Sequence, residues 1–350
     1  MFKFIIRNLR IILLFSFALI LGLIAFFCWW NLSMSIIPLE KKVYSSAGSF
    51  DLAAELPVHR TEASGAVCKQ KFYVLGGLDY LMRTYSDMWM YDAVRKVWIQ
   101  QVDLPAPLNH AGVVSNDSLV FVVGGFGPLG LRYRGVNIAR YTPQNTLFSF
   151  NPITHSWTRL ANLPEVRGAG AVAILNDTIY YAGGIGQDLK VQSNLWAYVI
   201  KSNKWLCLKS FQIPRDHHRL EIVNRCLYLI SGRQDDLRKT LISVEKYNLD
   251  SKEWTSAASL PSARGGLSSV VFKNKIYVFG GEFVWSCSNE VDCYDPRNDS
   301  WSKIGILPEA RHGIISGVID DTIHLISGGR HSRVSVSGIH RTFVPNPNEK

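Results

Sequence analysis

The chain of 350 residues carries 38 Lys and Arg against 28 Asp and Glu, a formal net charge of +10, with 47% hydrophobic and 19% charged residues. That apolar content excludes a disordered chain and is ample for a core. The basic excess contains no low-complexity basic tract, so it permits anionic partners while a nucleic-acid partner is not expected.

Residues 1–10 form a short basic start with Lys3, Arg7 and Arg10. Residues 11–30, IILLFSFALILGLIAFFCWW, are twenty uncharged positions, long enough to span a bilayer as a helix. The cations ahead of this span predict a cytosolic N-terminus and place everything beyond residue 30 on the far, extracytoplasmic or periplasmic side. A cleaved signal peptide is the alternative. The length of the apolar run and the lack of a small-x-small exit favour an uncleaved signal anchor. Residues 31–42 then read as a linker. Five Lys/Arg and one Glu within residues 1–42 contribute +4 of the charge and leave +6 for the remainder.

From residue 43 onward the chain repeats itself. Glycine pairs occur at Gly76-Gly77, Gly124-Gly125, Gly183-Gly184, Gly280-Gly281 and Gly328-Gly329, with Ser231-Gly232 in the remaining slot. Their second members step by 48, 59, 48, 49 and 48 residues. An aromatic stands seven residues before a tryptophan five times: Tyr91/Trp98, Phe150/Trp157, Tyr198/Trp205, Tyr247/Trp254 and Tyr294/Trp301. Apolar runs such as Phe72–Leu75, Val120–Val123 and Ile276–Phe279 predict strands covered on both faces. Turn chemistry at Asn116-Asp117, Asn176-Asp177, Asn274-Lys275 and Asp320-Asp321 marks the hairpins between them.

This period and motif set resembles the Kelch repeat over residues 43–345. The resemblance implies an all-β fold, a six-bladed Kelch-type β-propeller, here preceded by one N-terminal transmembrane helix and followed by a tail at 346–350. The sixth repeat reaches Phe343 and Pro345 but ends before a tryptophan. Phe50, six residues before Leu56-Pro57, matches Trp157 before Leu163-Pro164. Residues near 43–50 are therefore expected to supply the outer strand of the last blade and close a monomeric ring.

Antiparallel pairing puts the start of each inner strand and each glycine turn on one face. An arginine lies ten residues beyond the tryptophan position in five repeats: Arg60, Arg167, Arg215, Arg264 and Arg311, with Leu108 in the sixth place. These guanidinium groups suit a ligand carboxylate or phosphate at the channel mouth. The alternative is that they tie blades together through backbone carbonyls. Glu282, Arg233 and Arg330 follow the glycine turns on the same face. His217, His312 and His110 lie beside the arginine series, but with no carboxylate at a fixed spacing no metal is assigned, and no cofactor is expected. An insertion at 126–146 in the second repeat brings Arg132, Tyr133, Arg134, Arg140 and Tyr141 to that face, suited to gripping a partner or packing on itself. Of the six cysteines, none forms a Cys-x-x-Cys pair, and free thiols are expected over disulfides.

The resemblance implies a recognition module that binds a protein, peptide or anionic glycan. The alternative is a sugar-acting enzyme, because the pattern is also similar to bacterial six-repeat sialic-acid mutarotases. That likeness implies a glutamate with an arginine near the channel mouth, for which Glu282 is the candidate catalytic residue, although no local spacing reproduces the pair. A copper-radical oxidase of the galactose-oxidase kind implies seven blades and a Tyr/Tyr/His/His set, which this sequence does not offer.

Overall fold

The computed structural model describes residues 15–23, 25–26, 39–131 and 138–346. The chain divides into two units, residues 1–39 and 40–350. In the first, residues 15–23 are helical, and 25–26 are helical again. The expected span over 11–30 lies partly outside the described residues. Among the described residues no helix is long and apolar enough to cross a membrane, so the expected transmembrane helix is not among the observed elements.

The second unit is a ring of six antiparallel sheets, as the repeat predicts. Blade V shows the pattern in full. Ser268–Phe272 pairs with Lys275–Phe279, that strand with Glu290–Asp295, and that in turn with Ser300–Ile306. The first strands of the six blades are Ser64–Cys68, Gly112–Ser115, Ala171–Leu175, Arg219–Val223, Ser268–Phe272 and Ile315–Ile319. Each lies beside the next, and the sixth lies beside the first, so the ring is closed. They enclose a central cavity of about 480 Å³.

Burial follows the apolar runs. Phe72–Leu75, Val120–Val123 and Ile276–Phe279 are buried at every position, because sheets stacked around a ring cover both faces of a middle strand. The aromatic–tryptophan pairs sit opposite each other on the third and fourth strands. Their rings are 5.0 to 5.2 Å apart. Each indole also crosses to the segment entering its own blade: Trp98 donates to Ala54 O, Trp157 to Val102 O, Trp205 to Ala161 O, Trp254 to Lys209 O and Trp301 to Ala258 O. The spacing therefore encodes both wedge filling and a link to the preceding blade.

Closure follows the expectation and adds a strand. Gly48–Leu52 pairs with His340–Pro345 as the fourth strand of blade VI. Phe50 stands opposite Phe343, where the other blades have tryptophan, and the two rings stack at 4.4 Å. Lys42–Ser45 then pairs outside it as a fifth strand. Joining the two ends of the propeller in one sheet removes the open inter-blade edge.

The sixth glycine slot differs from the sequence register by one residue. Gly328 N donates to Arg60 O, as Gly77 N does to Leu108 O and Gly281 N to Arg311 O. Ser327-Gly328 therefore fills the slot, in parallel with Ser231-Gly232, and Gly329 takes the place held by Glu282 in blade V. Ser327 and Ser231 both adopt the left-handed backbone, at φ 64° and 58°. At Gly280, also left-handed at φ 58°, an added Cβ would run into Arg311 O of the next blade. The glycine permits that close approach. All five described cysteines are free, as expected.

Three buried histidines and the partly buried His110 are expected to make the fold acid-sensitive. Burial pushes the imidazoles of His110 and His324 down to about 4, and those of His218 and His340 down to about 3. His324 Nδ1 lies 2.8 Å from His340 Nε2, inside the wedge between blades VI and I. Lowered folded-state values mean that the unfolded chain binds more protons on acidification. Their stabilising contribution is complete above the unfolded value near 6.5 and is lost as pH falls toward 4 and 3. Each of the four is expected to cost on the order of 2 kcal/mol by about pH 4.5. Urea unfolding should show a midpoint that is highest above about pH 6.5 and drops steeply below it; a midpoint flat down to about pH 4.5 would contradict this account.

Candidate functional site at the channel mouth

The repeat brings equivalent residues of all six blades to the mouth of the channel. Two positions beyond the arginine series stand Glu62, His110, Ala169, His217, Gly266 and Gly313. All six have left-handed backbones, with φ between 49° and 60°. They are joined from blade to blade by main-chain hydrogen bonds: His110 N to Glu62 O, Ala169 N to His110 O, His217 N to Ala169 O, Gly266 N to His217 O and Gly313 N to Gly266 O, at 2.8 to 3.1 Å. Left-handed backbone is unstrained for glycine and unfavourable for the other residues. Glu62, His110 and His217 nevertheless occupy it, and their ligating atoms lie within 4.8 Å of one another.

A second set of equivalent positions follows the glycine turns: Leu78, Phe126, Ile185, Arg233, Glu282 and Gly329. Each pairs with the residue before the left-handed position, as Asp216 does with Arg233 and Gly265 with Glu282. Arg233 and Glu282 therefore sit on neighbouring blades. Arg233 Nη1 donates to Glu282 Oε1 at 2.9 Å, Nε to Asp216 Oδ1 at 3.0 Å and Nη2 to His217 Nε2 at 3.0 Å. Asp216 also holds His217 Nδ1. The second oxygen of Glu282 accepts from the backbone N–H of Arg333 at 3.0 Å. His312 is buried beside this group, with Nε2 at 3.8 Å from Glu62 and 3.9 Å from Glu282.

Electrostatics are uneven around the mouth. Burial opposes ionisation of Glu62, but the surrounding His110, His217, His312 and Arg233 overcome it and hold the carboxyl down at about 2. Deeper in, Glu221 lines the cavity and accepts from Ser269 Oγ at 2.6 Å. Burial there pushes its carboxyl up to about 7. Arg219 spans the same region, donating to Leu267 O and Ile314 O.

The arginine series has a different setting from the ligand-facing one expected. Arg167, Arg215, Arg264 and Arg311 are fully buried and Arg60 nearly so. Arg215 donates to the carbonyls of Ile213, Ser231 and Ser243 and to Glu245. Arg264 holds Gly280 O, Glu290 and Asp292. Arg311 donates to Ser327 O and Ile339 O. Arg167 pairs with Glu165 and Asn194, and Arg60 with Asp87 while lying 3.7 Å over the Tyr85 ring. Their guanidinium groups bind the second and third strands of their own blades instead of pointing to a ligand.

The other expected residues divide. Glu282, Arg233, His217 and His312 come together at the mouth, and His110 joins them. Arg330 is half-buried, and its backbone N–H donates to Ser335 Oγ. Arg132 and Arg134 lie outside the described residues. The flanks of their insertion form a two-stranded hairpin, Phe126–Leu131 with Ile138–Pro143. Phe126 meets His110 edge-on at 5.6 Å, and Tyr141 Oη donates to Met82 O. Glu62, Asp216, Arg219 and Glu221 were not singled out by sequence. Glu62 was within reach, since it stands two residues after Arg60 as His217 stands two after Arg215.

A closed six-bladed propeller with repeat-equivalent residues around its channel defines the class of protein. The sequence matches the model of the KLHDC2/KLHL20/DRC7 Kelch-repeats domain over residues 168–344 and that of the Kelch motif over 107–164. The chain belongs to the Kelch-repeat family. It is similar to Kelch-like protein terF of Aspergillus terreus, at 29% identity over 239 residues, 64% of this chain and 50% of that protein. It is similar to alpha-scruin of Limulus polyphemus, at 31% over 191 residues, 51% of this chain and 20% of that one. Kelch-like protein 23 of Homo sapiens matches at 25% over 229 residues, 65% of this chain and 38% of that one. The chain thus spans half or less of the length of these relatives. The solved structure of YjhT superimposes with a TM-score of 0.73 at 16% identity, covering 85% of this chain and 98% of that one, which shows the shared fold.

Removing Arg215 or Arg264 strands the buried Glu245 or Asp292 without its counter-charge, while Glu290 keeps Lys303. Arg215→Ala and Arg264→Ala are each expected to lower the unfolding free energy by about 3–5 kcal/mol, read from urea titration. An unchanged midpoint in either variant would show that these guanidinium groups do not hold the blades.

Proposed function

We propose that this propeller is a recognition module that binds a protein or peptide through its channel-mouth face. The observation that carries the reading is an anchor on that face. Trp285, in the turn between the second and third strands of blade V, is 85% exposed. Arg333, from the matching turn of blade VI, lies 5.7 Å over its ring, and Ser332 Oγ donates to Val284 O to hold the two turns together. Tyr80, Leu81 and Met82 are exposed on the corresponding turn of blade I. Preorganised Trp and Arg side chains are the residue types that dominate binding energy at interfaces. The family's common use as a protein-interaction domain supports the same reading.

A second reading, a mutarotase- or epimerase-like enzyme acting on an anionic sugar, is favoured by the Glu282–Arg233 pair. It supplies a carboxylate and a guanidinium at one mouth. Both Glu282 oxygens are already engaged, which places the enzyme second. The uncharged stretch 11–30 supports a further proposal, that the module is tethered to a membrane with its propeller on the extracytoplasmic side. Deleting 11–30 should then release the chain from the membrane fraction.

The binding test compares partners crosslinked to the full chain with those crosslinked to Trp285→Ala/Arg333→Ala. Loss of the partner in that variant is expected, with retention in Ile153→Ala on the opposite face. Equal loss in both, or retention in both, would count against the chosen face. Sialic-acid mutarotation that disappears in Glu282→Gln would put the second reading first.

A further inference from the structure

Three chemistry-bearing side chains at the mouth stand at a left-handed position that two sister blades fill with glycine. Of the six equivalent left-handed positions, blades V and VI use Gly266 and Gly313, and blade III uses Ala169. The other three carry a carboxylate and two imidazoles, and these three converge. A residue other than glycine held in left-handed backbone is one mark of a functional position.

The donor atoms are also oriented. Asn109 donates its amide to Thr84 Oγ1 at 2.9 Å, which turns its carbonyl oxygen to His110 Nδ1 at 2.6 Å. Asp216 Oδ1 holds Nδ1 of His217 in the same way. Each imidazole is thus oriented with Nδ1 as donor and Nε2 as acceptor, Nε2 of His217 taking a hydrogen bond from Arg233. An oxygen holding the remote nitrogen is the arrangement that orients histidine ligands toward a metal ion. His110 Nε2 then lies 3.4 Å from Glu62 Oε2, its lone pair toward the carboxyl group. Two acceptors so close need a proton or a metal ion between them.

We propose that Glu62, His110 and His217 form a binding site for a divalent first-row transition ion at the mouth of the channel. Two imidazole nitrogens and one carboxylate oxygen are a donor set for borderline ions such as Zn²⁺, and they are too rich in nitrogen for Mg²⁺ or Ca²⁺. Three protein ligands leave a tetrahedral ion one position for water or an anionic group. Arg233 is the internal competitor, because its Nη2 donates to His217 Nε2. On metal binding that one hydrogen bond is released while Arg233 keeps Asp216 and Glu282. The site is independent of which protein the outer turns recognise.

Glycine provides the test, because sister blades already carry it at this position. Glu62→Gly, His110→Gly and His217→Gly are compatible with the backbone and are expected to remain folded, so each is compared with its own melting temperature without metal. Zn²⁺ is titrated into the full chain in detergent after chelator treatment, with affinity from calorimetry and the thermal shift read in parallel. The parent should bind one ion and gain melting temperature, and each variant should lose at least ~100-fold in affinity. Glu62→Gln, which keeps the side-chain shape, should show the same loss. A parent that binds no Zn²⁺ at about 100 μM, where a site of this kind would saturate, would overturn the assignment. So would Zn²⁺ binding that persists in the variants, the result expected if the ion sits on the exposed thiol of Cys207.

Discussion

The main-chain hydrogen bonds that pass from Glu62 to His110, Ala169, His217, Gly266 and Gly313 are the constraint on which the other features depend. Six sheets standing around a channel touch mainly through side chains, which alone leave the inner rim free to dilate. A belt of amides and carbonyls fixes the rim. It requires left-handed backbone at every station, and thereby fixes where the following side chain points. The belt and the convergence of Glu62, His110 and His217 are one geometric fact.

Two other devices carry this inner order outward. Buried arginines clamp the second and third strands to the start of the first: Arg215 and Arg264 through carbonyls and carboxylates, Arg311 through the carbonyls of Ser327 and Ile339 with its Nε and Nη2 left unpartnered. Tryptophan indoles at the fourth strand reach the carbonyl leading into their blade. Blade VI lacks the indole and instead stacks Phe50 on Phe343 while its fourth strand comes from the other end of the propeller. Closure therefore does not depend on repeating every residue, only on filling the wedge and pairing the edge.

Much of this was legible in the sequence because packing in a repeat obeys one period. Tyr91/Trp98 and its four counterparts announce the blades, and Phe50 before Leu56-Pro57 announces closure. The slip at Gly328-Gly329 has a plain cause: two adjacent glycines imitate the slot, whereas the hydrogen bond from Gly328 N to Arg60 O sets it one residue earlier. The arginine series was visible, but its purpose was not. Periodic recurrence is the same whether a guanidinium holds a carbonyl or a ligand, and only burial and partners separate the two. Glu62 was missed because a carboxylate was sought at a local spacing, while the ring gathers residues from equivalent positions roughly fifty residues apart. The Arg233–Glu282 pair eluded local spacing for the same reason.

The most direct test of this account is native-state hydrogen exchange at His110, Ala169, His217, Gly266 and Gly313. If the belt holds the blades as one cooperative ring, these five amides exchange only through global unfolding, with a common free energy equal to that from urea titration. Exchange at several different, lower free energies would mean that the blades open one by one, and that the belt follows the fold without holding it.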